Sequence, residues 1–564
     1  MQRVKQKLFF ISIGLLSVAQ VYAQQRPSAR ASDPGVVQQR QIEEDRRRRE
    51  ELREQQPSVT DPLHYEPLPV QAPAPAGQDA VRFLVKEIKF TPSEILSAEE
   101  LAALASAYQG KEITLSDLKR LTAEINQLYQ RKGVVTAQAI LPPQDITSGT
   151  VQIRLVEGRL GSMNIRGNDS TRPSYVEFFL GVEPGSVMDV GSLEKSLIRF
   201  NRTNDIQLQA DLKAGTQFGT TDLELQVNEP ERHVLRLTAD NLGSVGTGVN
   251  RGGVSYFNRS LLGFRDDLAL SYTGANGQES QAYSYGVPIT PWGGRLTAGY
   301  YRDHTWVKNG SLNSLNLSGI STARTLTLRQ PTYVDSNKQL DLVLGGKKRS
   351  TTNWIETVQL QTTETRDASI GLEASWFDQK NDWFVSYIRA FGSLQGDTRN
   401  DFSHNYVIDR GALRYSHDFG SGYALRTSLS WQSSNTPKLP SSEQFFIGGD
   451  GSVRGYPVGV FAGDTGQFVS AEMHHPMFEA GSNSAGVAAS GFFFIDYGRV
   501  KPFRPPNTLY REHDTLTGAG WGLLANMGKR AYGRLTFGYG LEKVPNQPIP
   551  RPYEINFQVV FNVM

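Results

Sequence analysis

The residues in the most distinctive chemical setting lie at 445–459, FFIGGDGSVRGYPVG, where Arg454 stands among five glycines. A guanidinium stays charged throughout the physiological range, and its planar fork can grip a carboxylate with two hydrogen bonds. Gly448, Gly449, Gly451 and Gly455 permit tight turns and close backbone approach, which suits a loop pressed against a wall. A solvated arginine on a surface loop reads the same way. About 40 residues further on, FFFIDYG places Asp496 either on a strand face shared with Phe494 or in a turn before Gly498. Little else invites chemistry. There is no G-x4-G-K-[ST] phosphate loop and no H-E-x-x-H zinc motif. His474 and His475 are neighbours on the strand-like QFVSAEMHHP, and adjacent strand residues point to opposite faces, so they form a poor chelating pair. Cysteine is absent, which excludes disulfides and thiolate metal sites. The reading is of a protein that is not an enzyme, with no catalytic residues, no metal and no cofactor.

The 564 residues imply more than one domain, and a net charge of +2 gives no case for nucleic acid. Residues 1–23 read as a secretory signal peptide: Arg3, Lys5 and Lys7 precede an apolar run, and Val21-Tyr22-Ala23 offers a cleavage site. No run of 18 apolar residues follows, so a mature chain that spans a membrane must do so as a closed β-barrel. Residues 36–56 are charged nearly all round, with six arginines and six acidic residues between Arg40 and Gln56. Glu43/Arg47, Glu44/Arg48 and Asp45/Arg49 are helix-stabilising pairs at i,i+4. Such a helix has no face for an apolar core. The segment is a solvated helix, a disordered charged tail, or a helix lying in a water-filled pore, which its length of about 30 Å would span. Residues 57–80 are proline-rich and read as an extended linker.

Residues 81–230 contain a repeat with the order strand, helix, helix, strand, strand. In the first copy, 81–158, a capping box begins at Ser97, with a helix expected to end at Gly110; Leu118, Leu121, Ile125 and Leu128 mark the buried face of a second helix. In the second copy, 159–230, helices are expected at Tyr175–Leu180 and Ser192–Arg202. Two small α+β modules follow, each with a three-stranded sheet whose open edge can accept an extended peptide. Residues 232–564 change character, with alternating segments of 8–12 residues broken at turns. DDLALSYTG and the terminal INFQVVFNVM each carry one apolar face, which would point into the core of a soluble β-sandwich or to the lipid around an outer-membrane barrel. At about 20 residues per strand and connection, this region supports about 16 strands of an outer-membrane barrel with a water-filled lumen.

Taken together, these features resemble the two-partner secretion transporters, the TpsB-type members of the POTRA-plus-barrel outer-membrane superfamily. The stretch 141–161 resembles the first POTRA domain of that family. Val453-Arg454-Gly455-Tyr456 resembles its VRGY motif on an extracellular loop folded into the barrel, here about 445–465. Phe494, Asp496 and Gly498 match its F-x-D-x-G barrel-strand motif. The resemblance implies that Asp496 faces the lumen and pairs with Arg454. It implies a plug helix, periplasmic POTRA domains, and a large secreted exoprotein partner: an adhesin, a haemolysin or a contact-dependent toxin. It also implies contact with outer-membrane lipid and insertion by the barrel-assembly machinery. A barrel-assembly factor of the same superfamily is the alternative, and a porin or receptor is a more distant one.

Overall fold

The computed structural model describes residues 32–54, 62–65, 81–132, 134, 137–217, 219–310, 313–395, 405–436, 438–478, 487–502, 512–528, 530–544 and 553–563. The signal-peptide segment 1–23 and most of the proline-rich segment lie outside them, as do the side chains of Arg47, Arg48 and Arg49. The chain forms two units, one built mainly from residues 56–230 and one holding most of the barrel together with residues 32–54.

In the larger unit sixteen antiparallel strands, from His233–Asp240 to Tyr553–Asn562, close into a barrel. The last strand pairs with the first, from Arg236↔Asn562 to Asp240↔Gln558, so no sheet edge is left open there. Side-chain alternation gives the wall two chemistries. On the strand Ala488–Lys501, Phe492, Phe494 and Asp496 are buried toward the lumen, while Phe493, Ile495 and Tyr497 are exposed on the outer face. Pairing with Asp514–Met527 runs without a break across these residues, so Phe494 and Asp496 both point inward with no bulge between them. The strands Leu317–Val334, Lys338–Ile355 and Val358–Phe377 have 18 to 20 residues, well beyond the 9–11 or so that cross a bilayer.

The lumen is occupied. Helix α1 (Pro34–Glu54) begins two residues before the expected segment because Pro34 takes a first-turn position, where its missing N–H is no loss. The Asp33 carboxylate accepts from the amides of Gly35 (2.8 Å) and Val36 (3.3 Å). Val36 and Val37 are buried, and Ile42 packs against Ala282, Tyr301 and Ala323 of the wall.

In the first module of the smaller unit, α2 (Ala98–Ser106) and α3 (Leu115–Arg131) both start with capping boxes, Ser97/Glu100 and Thr114/Asp117. Leu118, Leu121, Ile125 and Tyr129 are buried against the sheet, with Leu128 at its margin. Helix α2 ends at Ser106, short of Gly110, which instead turns the chain into the strand Lys111–Ile113. That strand pairs with Phe83–Val85, so the single expected strand at 81–90 is split between two partners: Glu87–Phe90 joins the three-stranded sheet. In the second module, α4 (Pro173–Leu180) and α5 (Val190–Thr203) cover a sheet of four strands rather than three. The extra strand is Leu63–Tyr65, from within the proline-rich segment, lying parallel to Ala210–Leu212. That segment is thus not a free tether over its whole length. Unpaired edge groups of Gln207–Ala214 find partners in the nearest extended stretch, and Leu63 adds an apolar side chain to the core.

Candidate functional site

Besides the ion pairs of Arg329 with Asp341 and Glu373, two clusters of buried charge hold the inward loop and helix α1 in the barrel interior. The first is built on three neighbouring strands. Ser470 on Thr465–Phe478 lies directly opposite Asp496, and Glu472 opposite Phe494. On the far side Gly518 faces Asp496 across the sheet. Into this patch comes Arg454, from the loop that links Tyr423–Ser434 to Thr465–Phe478. Its Nε and Nη2 donate to the two Asp496 oxygens, each at 2.7 Å, and its backbone N–H donates to Oδ2 at 3.0 Å. Nη2 also reaches the Ser470 hydroxyl at 3.0 Å, and Nη1 bonds Glu472. The guanidinium carbon sits 3.5 Å from the centroid of the Phe494 ring, a cation–π contact in a desolvated place. Arg454 and Asp496 are 2% and 0% exposed, so the pair is sealed from bulk water.

The wall is cut to receive this loop. A methyl group on Gly518 would come within 2.0 Å of the Arg454 carbonyl oxygen, and one on Gly498 within 2.7 Å of the Val453 side chain. Gly455 has φ +91, a conformation that other residues rarely adopt, and lies against the backbone of Tyr539 and Gly540. Val453 is buried with Ile447, Val500 and Leu516. The Tyr456 hydroxyl donates to the Thr517 carbonyl (2.9 Å) and accepts from the Glu542 amide (2.8 Å). The structure therefore brings together all seven residues singled out in the two motifs. Glu472 and Ser470 were not singled out. Their signal lay in QFVSAEMHHP, where Ser470, Glu472 and His474 share one strand face. His474 Nε2 lies 2.9 Å from Glu472 Oε2 and stacks on Phe492, which places it in the charge cluster.

The second cluster was not foreseen. The inward part of the loop starts before 445: Leu439, Ser442 and Glu443 are already buried. Glu443 receives Lys347 Nζ (2.6 Å), Arg349 Nη1 (2.9 Å) and Arg410 Nη2 (2.9 Å). Arg349, itself 1% exposed, also donates from Nε to Gln38 (3.1 Å) and from Nη2 to Gln39 (2.6 Å). Gln38 donates in turn to the carbonyls of Ser321 (2.9 Å) and Tyr301 (3.2 Å). One arginine of the wall thus holds both the first turns of α1 and the loop. Lower on the helix, Glu44 meets Arg251 at 3.4 Å, and Arg251 is held by Asp240 at 2.8 Å. Among the described residues no group of histidines and acidic residues is arranged to hold a metal ion.

A sixteen-stranded barrel with a charge-locked loop, an internal helix and two α+β modules before it defines a class: the outer-membrane transporters that carry POTRA domains. Comparison with known proteins places the chain within it. The model of the haemolysin secretion/activation protein family ShlB/FhaC/HecB matches residues 219–525, and that of the ShlB-type POTRA domain matches 83–158. The chain belongs to the ShlB/FhaC/HecB family of haemolysin secretion/activation proteins. It is 26% identical over 518 residues to the heme/hemopexin transporter protein HuxB of Haemophilus influenzae, covering 88% of this chain and 87% of that protein. It is 24% identical over 477 residues to the outer membrane transporter CdiB of Escherichia coli, covering 79% of this chain and 77% of that one. Among solved structures, CdiB from E. coli superposes with a TM-score of 0.66 at 19% identity, covering 93% and 97% of the two chains. BamA from Haemophilus ducreyi superposes at 0.52 and 15% identity, covering 85% of this chain and 100% of that one. The protein is a two-partner secretion transporter, its barrel in the outer membrane and its POTRA domains in the periplasm.

Proposed function

We propose that the helix Pro34–Glu54 is a removable plug, and that Arg454 and Asp496 hold the loop that orders the lumen while the partner exoprotein passes. The observation that carries this reading is the manner of attachment: the described part of the helix is held largely by polar contacts to the wall, centred on Arg349. A polar helix can leave such a site for water without stranding a large apolar face. The POTRA domains capture the exoprotein as an extended chain. The edge of Gln207–Ala214 is available to it only when Leu63–Tyr65 withdraws. The exoprotein is an adhesin, a haemolysin or a contact-dependent toxin. Its folding outside the cell drives export, since the chain carries no phosphate loop for nucleotide hydrolysis. The chain catalyses no covalent chemistry and is itself inserted by the barrel-assembly machinery.

Two experiments test this. Deleting the gene and comparing extracellular and outer-membrane proteins by mass spectrometry should remove one very large protein from outside the cell. A joint fall of many barrel proteins would instead identify an assembly factor. In planar bilayers, deletion of residues 34–54 should raise single-channel conductance several-fold, and Arg349→Gln should raise the frequency of open events. Unchanged conductance in the deletion rejects the plug.

A further inference from the structure

The outer wall carries an array of cations that the transport reading does not use. Arg324, Lys348 and Arg366 lie on three successive strands and directly face one another in register, Arg324↔Lys348 and Lys348↔Arg366. All three are exposed and share the outward face with Leu326, Leu344 and Ile370. Arg302, on the preceding strand, is exposed on the same face at the diagonal position to Arg324. Like charges placed directly opposite across a sheet repel. The carboxylates nearby do not offset this. Glu364 reaches Lys348 only at 3.7 Å, and Glu279 lies diagonal to Arg302. Among the described residues neither Arg324 nor Arg366 has an ion-pair partner. Arg389, on the next strand, shows what a self-satisfied outward arginine looks like: Asp409 grips it at 2.7 and 2.9 Å.

Height along the membrane normal says what these cations meet. On Val358–Phe377 the outward residues run Arg366, Ala368, Ile370, Leu372, Ala374, Trp376. Trp376 stacks on Trp383, which packs on Tyr415, at the end of the wall where the strands turn through 378–380. The chain leaves the second POTRA domain into the first barrel strand, so this even-numbered strand runs toward the periplasm and the aromatic cluster marks the periplasmic interface. Arg366 lies ten positions before Trp376. At about 3.3 Å per residue and about 40° of tilt that is about 25 Å, the height of the apolar band of such barrels. The three cations therefore stand where the headgroups of the outer leaflet begin.

We infer that Arg324, Lys348 and Arg366 form a binding site for a phosphorylated glycolipid of the outer leaflet, with Arg302 at its flank. Its phosphates neutralise the facing cations, and its acyl chains lie over Leu326, Leu344 and Ile370. The site does not depend on which protein the pore exports.

The test uses the purified full chain in phosphatidylcholine nanodiscs containing bisphosphorylated lipid A, with bound lipid counted by native mass spectrometry. The wild type should retain lipid A. The triple variant Arg324→Gln, Lys348→Gln, Arg366→Gln should need at least about tenfold more for the same occupancy. Lipid A stripped of its phosphates should bind the wild type as weakly as intact lipid A binds the triple variant. Equal retention by wild type and variant overturns the site, and so does equal binding of the stripped lipid. Displacement of lipid A by an equal concentration of inorganic phosphate would overturn the assignment to a lipid. Heat-modifiable migration on gels reports whether the triple variant forms a barrel. If it does not, Lys348→Gln alone decides, with an expected severalfold loss and no loss counting against the site.

Discussion

The POTRA domains and the barrel lumen bury side chains for different ends. In the first domain Leu118, Leu121, Ile125 and Ile153 are almost wholly apolar in their surroundings, as are Leu193, Leu197 and Phe200 in the second. Burial of this kind is non-directional and tolerant of small shifts. In the lumen, charged groups are buried as well, among them Arg349, Glu443, Arg454 and Asp496. A buried ion pair adds little net stability over an apolar pair of the same volume, but losing one partner costs about 3–5 kcal/mol. The apolar cores keep the domains folded. The charge clusters define one position for the loop and one for the helix, and a wrong position strands a charge.

The sharpest way to break this contrast is to change the loop lock in two ways. Arg454→Ala leaves Asp496 buried and unpaired beside Glu472. It should lower export at least tenfold while the barrel still forms, as read by secreted exoprotein and heat-modifiable migration. Replacing both partners, Arg454→Leu with Asp496→Leu, should recover much of the thermal stability lost in the single variant yet leave export low. Recovery of export by the apolar pair would show that the lock is ordinary packing. A smaller effect is expected in the first POTRA domain. Leu121→Ala should destabilise that domain by about 2–5 kcal/mol, measured by urea-dependent proteolysis between 81 and 158, and leave the barrel transition in place.

Much of the fold was legible because it rests on periodicity. Alternation over 8–12 residues fits a β-sandwich as well as a barrel; the strand number of about 16 favours the barrel, and it agrees with the sixteen that form. Leu118, Leu121 and Ile125 point into their core at helical spacing. What periodicity does not carry is which strand meets which. The splitting of 83–90 between two sheets and the docking of Leu63–Tyr65 depend on edges far away in sequence. The site divides in the same way. Arg454 and Asp496 stood out through glycines and through family resemblance, and the two meet in the lumen. Glu472 was accessible from the polar face of its strand. Arg349 and Glu443 were not, because GGKKRSTT and LPSSEQ carry no pattern that distinguishes a luminal cation or carboxylate from a solvated one. Only the closed barrel sets 349 against 443 and 38.

The contrast extends, with the smallest effect, to charges that are not buried. Asp117 closes the capping box at the start of α3: the Thr114 N–H, donating at 2.9 Å, holds its carboxyl below the ordinary carboxylate range. In α2 the Lys132 ammonium does the same for Glu100. Groups with depressed values in the folded state contribute stability above their ordinary values and lose it as pH falls through the folded ones. Solvent screens both, so their effect is local. Amide exchange in the first turn of α3 should be faster in Asp117→Ala than in wild type at pH 7, by a factor matching a cap worth about 0.5–1 kcal/mol. That difference should shrink as the solution is taken below pH 4. A difference that persists unchanged in acid would mean that Asp117 acts through the shape of its side chain and not through its charge.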